Sequence, residues 1–148
     1  MIEALTDTLA VRLLNPDAVP PARSRGGDAG YDLRATERVS IPQEGRRLVG
    51  TGIALALPEG CAGLVVPRSG LAIEHGLTLL NAPGLIDPNY RGEIKVVVHN
   101  TSERRYTVEI GDRIAQLVLV PYWAPELEVV DELPATARGA DGFGSSGR

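Results

Sequence analysis

The chain has 148 residues, enough for one domain with a sizeable core, and is 43% hydrophobic but only 4% aromatic, so that core must be built mainly from Val, Leu, Ile and Ala. Its net charge of −4 offers no overall attraction to nucleic acid or an anionic membrane, which leaves any anionic ligand to local Arg, Lys and backbone N–H groups. The one cysteine, Cys61, excludes an internal disulfide, no stretch approaches the ~20 apolar residues of a membrane span, and acids at Glu3 and Asp7 stand where a signal peptide would be basic, so a cytoplasmic location is expected.

In chain order, Leu9 to Leu14 reads as a strand. Pro16, Pro20 and Pro21 then keep the chain extended without regular pairing. After the loop signal Arg25-Gly26-Gly27-Asp28, strands are expected at Tyr31 to Ala35, Val39 to Ile41, and Arg47 to Leu57 with Gly52 in its middle. Pro58-Glu59-Gly60 turns the chain into a strand from Ala62 to Val66. Ser69 to His75 is the one helical candidate, with Ser69 as N-cap and Gly76 past its end.

Further strands are expected at Leu77 to Leu80, Ile94 to Asn100, Tyr106 to Ile110, Arg113 to Val120 and Leu127 to Val130. Between the first two, Asn81 to Lys95 reads as a β-hairpin with Asp87 near its tip, because Asn81-Ala82-Pro83-Gly84 and Pro88-Asn89 are turn signals. Short strands with Gly or Pro turns roughly every 8–12 residues are the pattern of a sandwich or barrel. Trp123 is expected to be buried, in the core or at a subunit contact.

The tail departs from this pattern. Residues 138–148, RGADGFGSSGR, have a disordered composition, yet their N–H groups, hydroxyls and Arg138 suit phosphate, so the tail could order over a bound ligand. The expected organisation is one β domain over residues 1–137 and an arm over residues 138–148.

Several stretches could carry chemistry. Asp87, between an isoleucine and a proline with Tyr90 and Arg91 close by, either opens a turn or is a carboxylate held for catalysis. Pro67-Arg68-Ser69-Gly70 joins a strand to the start of the short helix, where N–H groups and the Arg68 fork suit anions; the alternative is a cap and a solvated charge. Asp28 and Asp32 flank a glycine that permits close approach, and one of them could hold Mg²⁺ directly or through water. Gln116, polar within the apolar run Ile114 to Val118, needs partners and either satisfies backbone or points into a site. His75 and His99 have no Cys or His neighbours at ligand spacing, so no zinc site is expected.

Together these stretches resemble, in order, the five motifs of the trimeric dUTPases: Asp28-Ala29-Gly30-Tyr31-Asp32-Leu33; Pro67 to Ala72; Asn81 to Asp87 with Tyr90-Arg91-Gly92-Glu93; Gly111 to Leu117; and Arg138-Gly139 with Gly142 to Gly147. The resemblance covers the chain from Asp28 to its end. It implies an all-β, jelly-roll-like barrel or sandwich (the dUTPase β-clip) with one short helix and a flexible C-terminal arm. It also implies a homotrimer whose sites lie at subunit interfaces, each closed by the arm of a neighbouring chain. The implied activity is Mg²⁺-dependent hydrolysis of dUTP to dUMP and pyrophosphate, which clears dUTP from the nucleotide pool and supplies dUMP for thymidylate synthesis. No nucleic-acid or membrane partner is implied.

The same resemblance implies roles residue by residue. Asp87 would activate a water against the α-phosphorus. Asp32 would hold the water shell of a Mg²⁺ gripped mainly by the triphosphate. Arg68, Ser69 and Gly70 would grip phosphates, and Gln116 would contact the α-phosphate. Backbone groups of the hairpin, at Gly84, Leu85 and Ile86, with the Asn81 amide and with Lys95 by side chain or backbone, would read the uracil edge, rejecting cytosine by unpaired polar groups. Tyr90 would pack under the deoxyribose and exclude a 2′-hydroxyl. In the arm, Arg138, Gly144, Ser145 and Ser146 would close over the phosphates while Phe143 stacks on the base. Asp141 is a departure, an acid inside a phosphate-gripping arm. The rival within the fold, dCTP deaminase, needs a glutamate near the fourth motif, and none lies between Gly111 and Val120. A non-catalytic nucleotide-binding member would lack Asp87 or the arm, and both are present.

Overall fold

The computed structural model describes residues 8–147; Glu3, Asp7 and the last residue of the arm lie outside them. Its strands are β1 (Ala10–Leu13), β2 (Tyr31–Arg34), β3 (Val39–Ile41), β4 (Arg46–Gly50), β5 (Ile53–Ala56), β6 (Cys61–Val66), β7 (Leu77–Leu79), β8 (Gly84–Ile86), β9 (Lys95–Asn100), β10 (Tyr106–Val108) and β11 (Arg113–Pro121), with the helix α1 (Ser69–His75) between β6 and β7. They form a four-stranded sheet ordered β2-β11-β6-β8, a three-stranded sheet β4-β9-β7, and the pairs β1-β5 and β3-β10. The expected all-β sandwich is what the chain forms, and among the described residues its sheets do not close into a barrel.

The core is aliphatic, as the composition requires. Leu33, Ile41, Val49, Ile53, Val96, Val98, Val108, Ile114 and Leu117 are all buried, and no aromatic side chain is among the buried hydrophobic residues. β9 shows the alternation behind this, with Val96, Val98 and Asn100 inward, Val97 and His99 half-buried and Lys95 exposed. In β11 a register shift between Arg113 and Ala115 places consecutive residues, Ile114 and Ala115, in the core. Asn100 is fully buried, and its amide donates to the carbonyls of Arg104 (2.7 Å) and Ile41 (3.4 Å) while its Oδ1 accepts from the Ser102 backbone and hydroxyl.

The stretch Arg47 to Leu57 is two strands. Gly52 sits at φ 66°, and a Cβ there would stand 2.7 Å from Ala18 Cβ and Asn15 Nδ2, so only glycine fits. The chain changes sheets at this corner: β4 pairs with β9 and β5 with β1. Thr51, buried at the corner, donates both its N–H and its hydroxyl to the carbonyl of Ile94.

Three other expectations are corrected. The Asn81–Lys95 segment is not a laddered hairpin: β8 pairs with β6, whereas β9 pairs with β4 and β7, so its two arms belong to different sheets. The residue flanking α1 on its N-terminal side is Arg68, in extended backbone and with no side-chain cap, and Ser69 is the first helical residue. Leu127 to Val130 forms no strand, and Leu127 and Val129 are 93% and 99% exposed; Trp123, 87% exposed, does not pack in the core of its own chain, which leaves the subunit contact as the other expectation. Cys61 is buried, as expected of a small apolar thiol. No helix among the described residues is long and apolar enough to cross a membrane.

Candidate active site

Because β8 and β9 diverge into separate sheets, a cavity of about 630 Å³ opens between them. Its floor includes Val65, Leu79, Ile94 and Val96, and its rim holds Asn81, Gly84, Leu85, Ile86, Asp87, Tyr90 and Lys95. All seven residues expected from this segment therefore gather around one slot. The arms are tied at their base by the Leu80 N–H to the carbonyl of Val97 (3.0 Å). At the tip, the Tyr90 N–H donates to the Asp87 carbonyl (3.1 Å), and the Arg91 guanidinium donates to the carbonyls of Pro88 and Tyr90. Asp87 is exposed, and its carboxylate has no hydrogen-bond or ion-pair partner among the described residues, which leaves both oxygens free for a ligand or water.

A second cavity, of about 440 Å³, lies where β2, β11 and the start of α1 meet. Asp28, Gly30, Asp32, Arg68, Ser69, Gly70 and Gln116 all line it, so the first, second and fourth sequence motifs converge. β11 brings Gln116 opposite Asp32 on β2 and opposite Val66 on β6. Gln116 Nε2 donates to the Pro67 carbonyl (3.0 Å), and a Cβ on Gly30 would collide with Gln116 Oε1. Gly30 is thus the residue that gives Gln116 room to hold the turn before the helix. At the helix start, the Ser69 and Gly70 N–H groups have no intrahelical partner.

The charge in this second cavity is balanced by contact. Asp32 Oδ1 lies 3.5 Å from Arg68 Nε, and its Oδ2 lies 3.5 Å from the Arg113 guanidinium. Arg68 also donates to the Arg113 carbonyl (3.1 Å). The Ser24 hydroxyl donates to Asp32 Oδ2 (2.7 Å) and accepts from Arg113 (3.2 Å). Ser24 and Arg113 as Asp32 partners were not expected from the sequence. Ser24 reaches Asp32 because Ala22 bridges to Asp32 across β2, and the proline-rich run before it signals extended chain but not the strand it lies beside.

No group of three or more His, Cys, Asp or Glu converges as a metal cage among the described residues. The donor set in the second cavity is two carboxylates, of which Asp28 Oδ2 already accepts the Arg25 N–H (2.9 Å). One or two carboxylates suit a hard cation that keeps its waters and takes its other ligands from phosphate, as Mg²⁺ does. The residues fit a metal carried by a ligand and not one held by the protein alone.

The two cavities have no lining residue in common. The arm lines neither: Phe143 is fully exposed at φ 50°, and Arg138 donates to the Asp141 carbonyl (2.8 Å) within a local turn. Arg138, Phe143, Gly144, Ser145 and Ser146 are therefore apart from the residues with which they were grouped.

A family model described as dUTPase matches residues 17–147. The chain is 50% identical over 142 residues to the deoxyuridine 5'-triphosphate nucleotidohydrolase of Wolinella succinogenes, with 95% of each covered. It is 49% identical over 147 residues to that of Corynebacterium glutamicum, covering 97% of this chain and 99% of the relative. Among solved structures, a variant of the Staphylococcus bacteriophage 80alpha dUTPase with dUpNHpp superposes with a TM-score of 0.90 at 33% identity, over 97% of this chain and 100% of that one. A variant dUTPase from phage phi11 of S. aureus, described for the coordination of a structural Mg(II) ion, gives 0.80 at 32% identity over 85% and 98%. With about half its residues shared end to end with such relatives, and its strands following theirs over nearly the whole length, this chain belongs to the dUTPase family.

Proposed function

We propose that the protein hydrolyses dUTP to dUMP and pyrophosphate with Mg²⁺, in the cytoplasm, as a homotrimer that assembles each site from more than one chain. One observation supports this above the others: Asn81, Gly84, Leu85, Ile86, Tyr90 and Lys95 surround one slot sized for a nucleoside, with a carboxylate unpartnered among the described residues, Asp87, at its rim. Membership of the family and the dUTP analogue carried by the phage relative point the same way.

In this mechanism uracil enters between the β8 and β9 arms. Backbone N–H and C=O groups there, with the Asn81 amide, complement its N3–H and carbonyls. Tyr90 lies beneath the deoxyribose. Asp87 orients a water and takes its proton as the new oxygen–phosphorus bond forms at the α-phosphate. The α–β bridging bond breaks, and its electron pair leaves with pyrophosphate. Arg68, with the N–H groups of Ser69 and Gly70, holds phosphate oxygens, and Gln116 steadies the α-phosphate. Asp32, with Asp28 beside it, would hold Mg²⁺ through water, and the ion would neutralise charge on the triphosphate. Arg138, Ser145 and Ser146 close the phosphate end, with Phe143 over the base.

The separation of slot and phosphate cavity supports the trimeric arrangement, since a slot on one chain can face a phosphate cavity on the next. The test is pyrophosphate release from dUTP, dCTP, dTTP and UTP in parallel, with Asp87→Asn as control. Selective turnover of dUTP is expected, with a loss of about 10²-fold or more in kcat for the variant, the usual worth of a positioned base. Ammonia release from dCTP, or full activity in the variant, would overturn the reading.

A further inference from the structure

Glu93 was expected only as part of a motif, yet it is the most connected side chain of the slot. Its Oε1 accepts the Gly52 N–H (2.9 Å) at the corner between β4 and β5. Its Oε2 lies 3.6 Å from Lys95 Nζ, and the side chain is largely covered, at 25% exposure. Its carbonyl accepts the Tyr90 hydroxyl (2.8 Å). The Tyr90 ring lies directly over Gly92, where a Cβ would stand 2.5 Å from the hydroxyl oxygen and 2.7 Å from Cζ. Gly50 completes the arrangement, because a Cβ there would approach Glu93 Oε1 to 2.8 Å. Two glycines therefore leave room for this contact chain: one beneath the tyrosine and one beside the carboxylate.

We propose that Glu93 is a positioning residue for sugar discrimination. Its carboxylate, fixed to Gly52 and Lys95, holds its own carbonyl where the Tyr90 hydroxyl docks, and so sets the wall that rejects a 2′-hydroxyl. Nothing in this role requires Glu93 to touch the nucleotide. A short polar chain runs from the rigid sheet corner through Glu93 to the ring, and a shift at one end moves the other. The inference rests on the slot being the nucleoside site of the function proposed above.

The experiment measures binding of dUMP and UMP by calorimetry to the full-length protein, alongside thermal stability and dUTP turnover. Glu93→Ala is expected to reduce the dUMP-over-UMP preference by about tenfold, the scale of one lost positioning hydrogen bond. Gly50→Ala, which leaves Glu93 in place but displaces its carboxylate, should reproduce the loss. Glu93→Gln, which keeps an acceptor for Gly52, should restore most of the preference. An unchanged preference in Glu93→Ala with only a lower Tm would reduce Glu93 to a structural residue, and equal binding of dUMP and UMP by the unmodified protein would also overturn the proposal. Absent dUTP turnover in the unmodified protein sinks the hydrolase reading by itself, while the binding ratios still decide on Glu93.

Discussion

Gly30→Ala tests whether the second cavity is built as described. The added Cβ has nowhere to go but into Gln116 Oε1, so the glutamine must leave its place or β2 must shift from β11. Overpacking of this kind costs about 1–3 kcal/mol. Displacing Gln116 also breaks its bond to the Pro67 carbonyl, adding about 1 kcal/mol. The expected destabilisation is about 2–4 kcal/mol, a fall in Tm on the order of 5–15 °C for a chain of this size, read at fixed protein concentration. The decisive assay is a double-mutant cycle with Gln116→Ala, which removes the colliding atom. If the clash with the amide is the cause, most of the Gly30→Ala cost disappears in that background, and the coupling approaches the single-mutant value of about 2–4 kcal/mol. Equal destabilisation with and without the Gln116 side chain would refute the reasoning. So would a Gly30→Ala protein as stable as the parent.

Two further outcomes are expected. Residues 138–147 are largely exposed, so on removing residues 138–148 the Tm should hold while kcat/KM for dUTP falls by about 10²-fold or more through the loss of closure; retained activity would mean that the arm plays no part in the site. Asn100→Ala deletes, from a fully buried position, the amide that ties β9 to the carbonyls of Ile41 and Arg104 and to Ser102, which should cost about 1–3 kcal/mol in urea unfolding with little change in KM once folded.

Turn chemistry and β-forming runs placed most of the strands, because both are local properties. Gly76 shows this well: it ends α1 at φ 66°, as a glycine following a short helical run should. What stayed out of reach was pairing. Pro83-Gly84 and Pro88-Asn89 announce turns on either side of Leu85-Ile86, but nothing in those residues says that β8 will pair with β6 and β9 with β4. That choice is made by burial of Val65 and Val96 in different sheets, and it is the choice that opens the slot. Ser24 shares this limit, since its partner Asp32 is reached only through the bridge from Ala22. Glu93 has a different reason: its value lies in contacts to the Gly52 N–H, the Tyr90 hydroxyl and Lys95, and a glutamate before a strand has no pattern that predicts them.

Leu127 to Val130, expected as a strand, misled for a reason that bears on function. Trp123, Leu127, Val129 and Leu133 have the composition of buried strand, yet all stand more than four-fifths exposed on the isolated chain. Large apolar side chains on a segment lying on no sheet of its own chain suit burial against a surface elsewhere. The segment links β11, which carries Gln116 in the phosphate cavity, to the arm that begins at Arg138. On the trimeric reading, apolar anchoring of this linker on a neighbour would decide which site the arm can reach. It would do so without any contact from the arm itself, and so would convert a Gly-Ser tail of low intrinsic order into a closure with a high effective concentration at one site. On that reading the aliphatic sandwich and the exposed linker are two parts of one design: the sheets fix Asp87 and Gln116 in separate cavities of each chain, and the linker would bring the third wall from another.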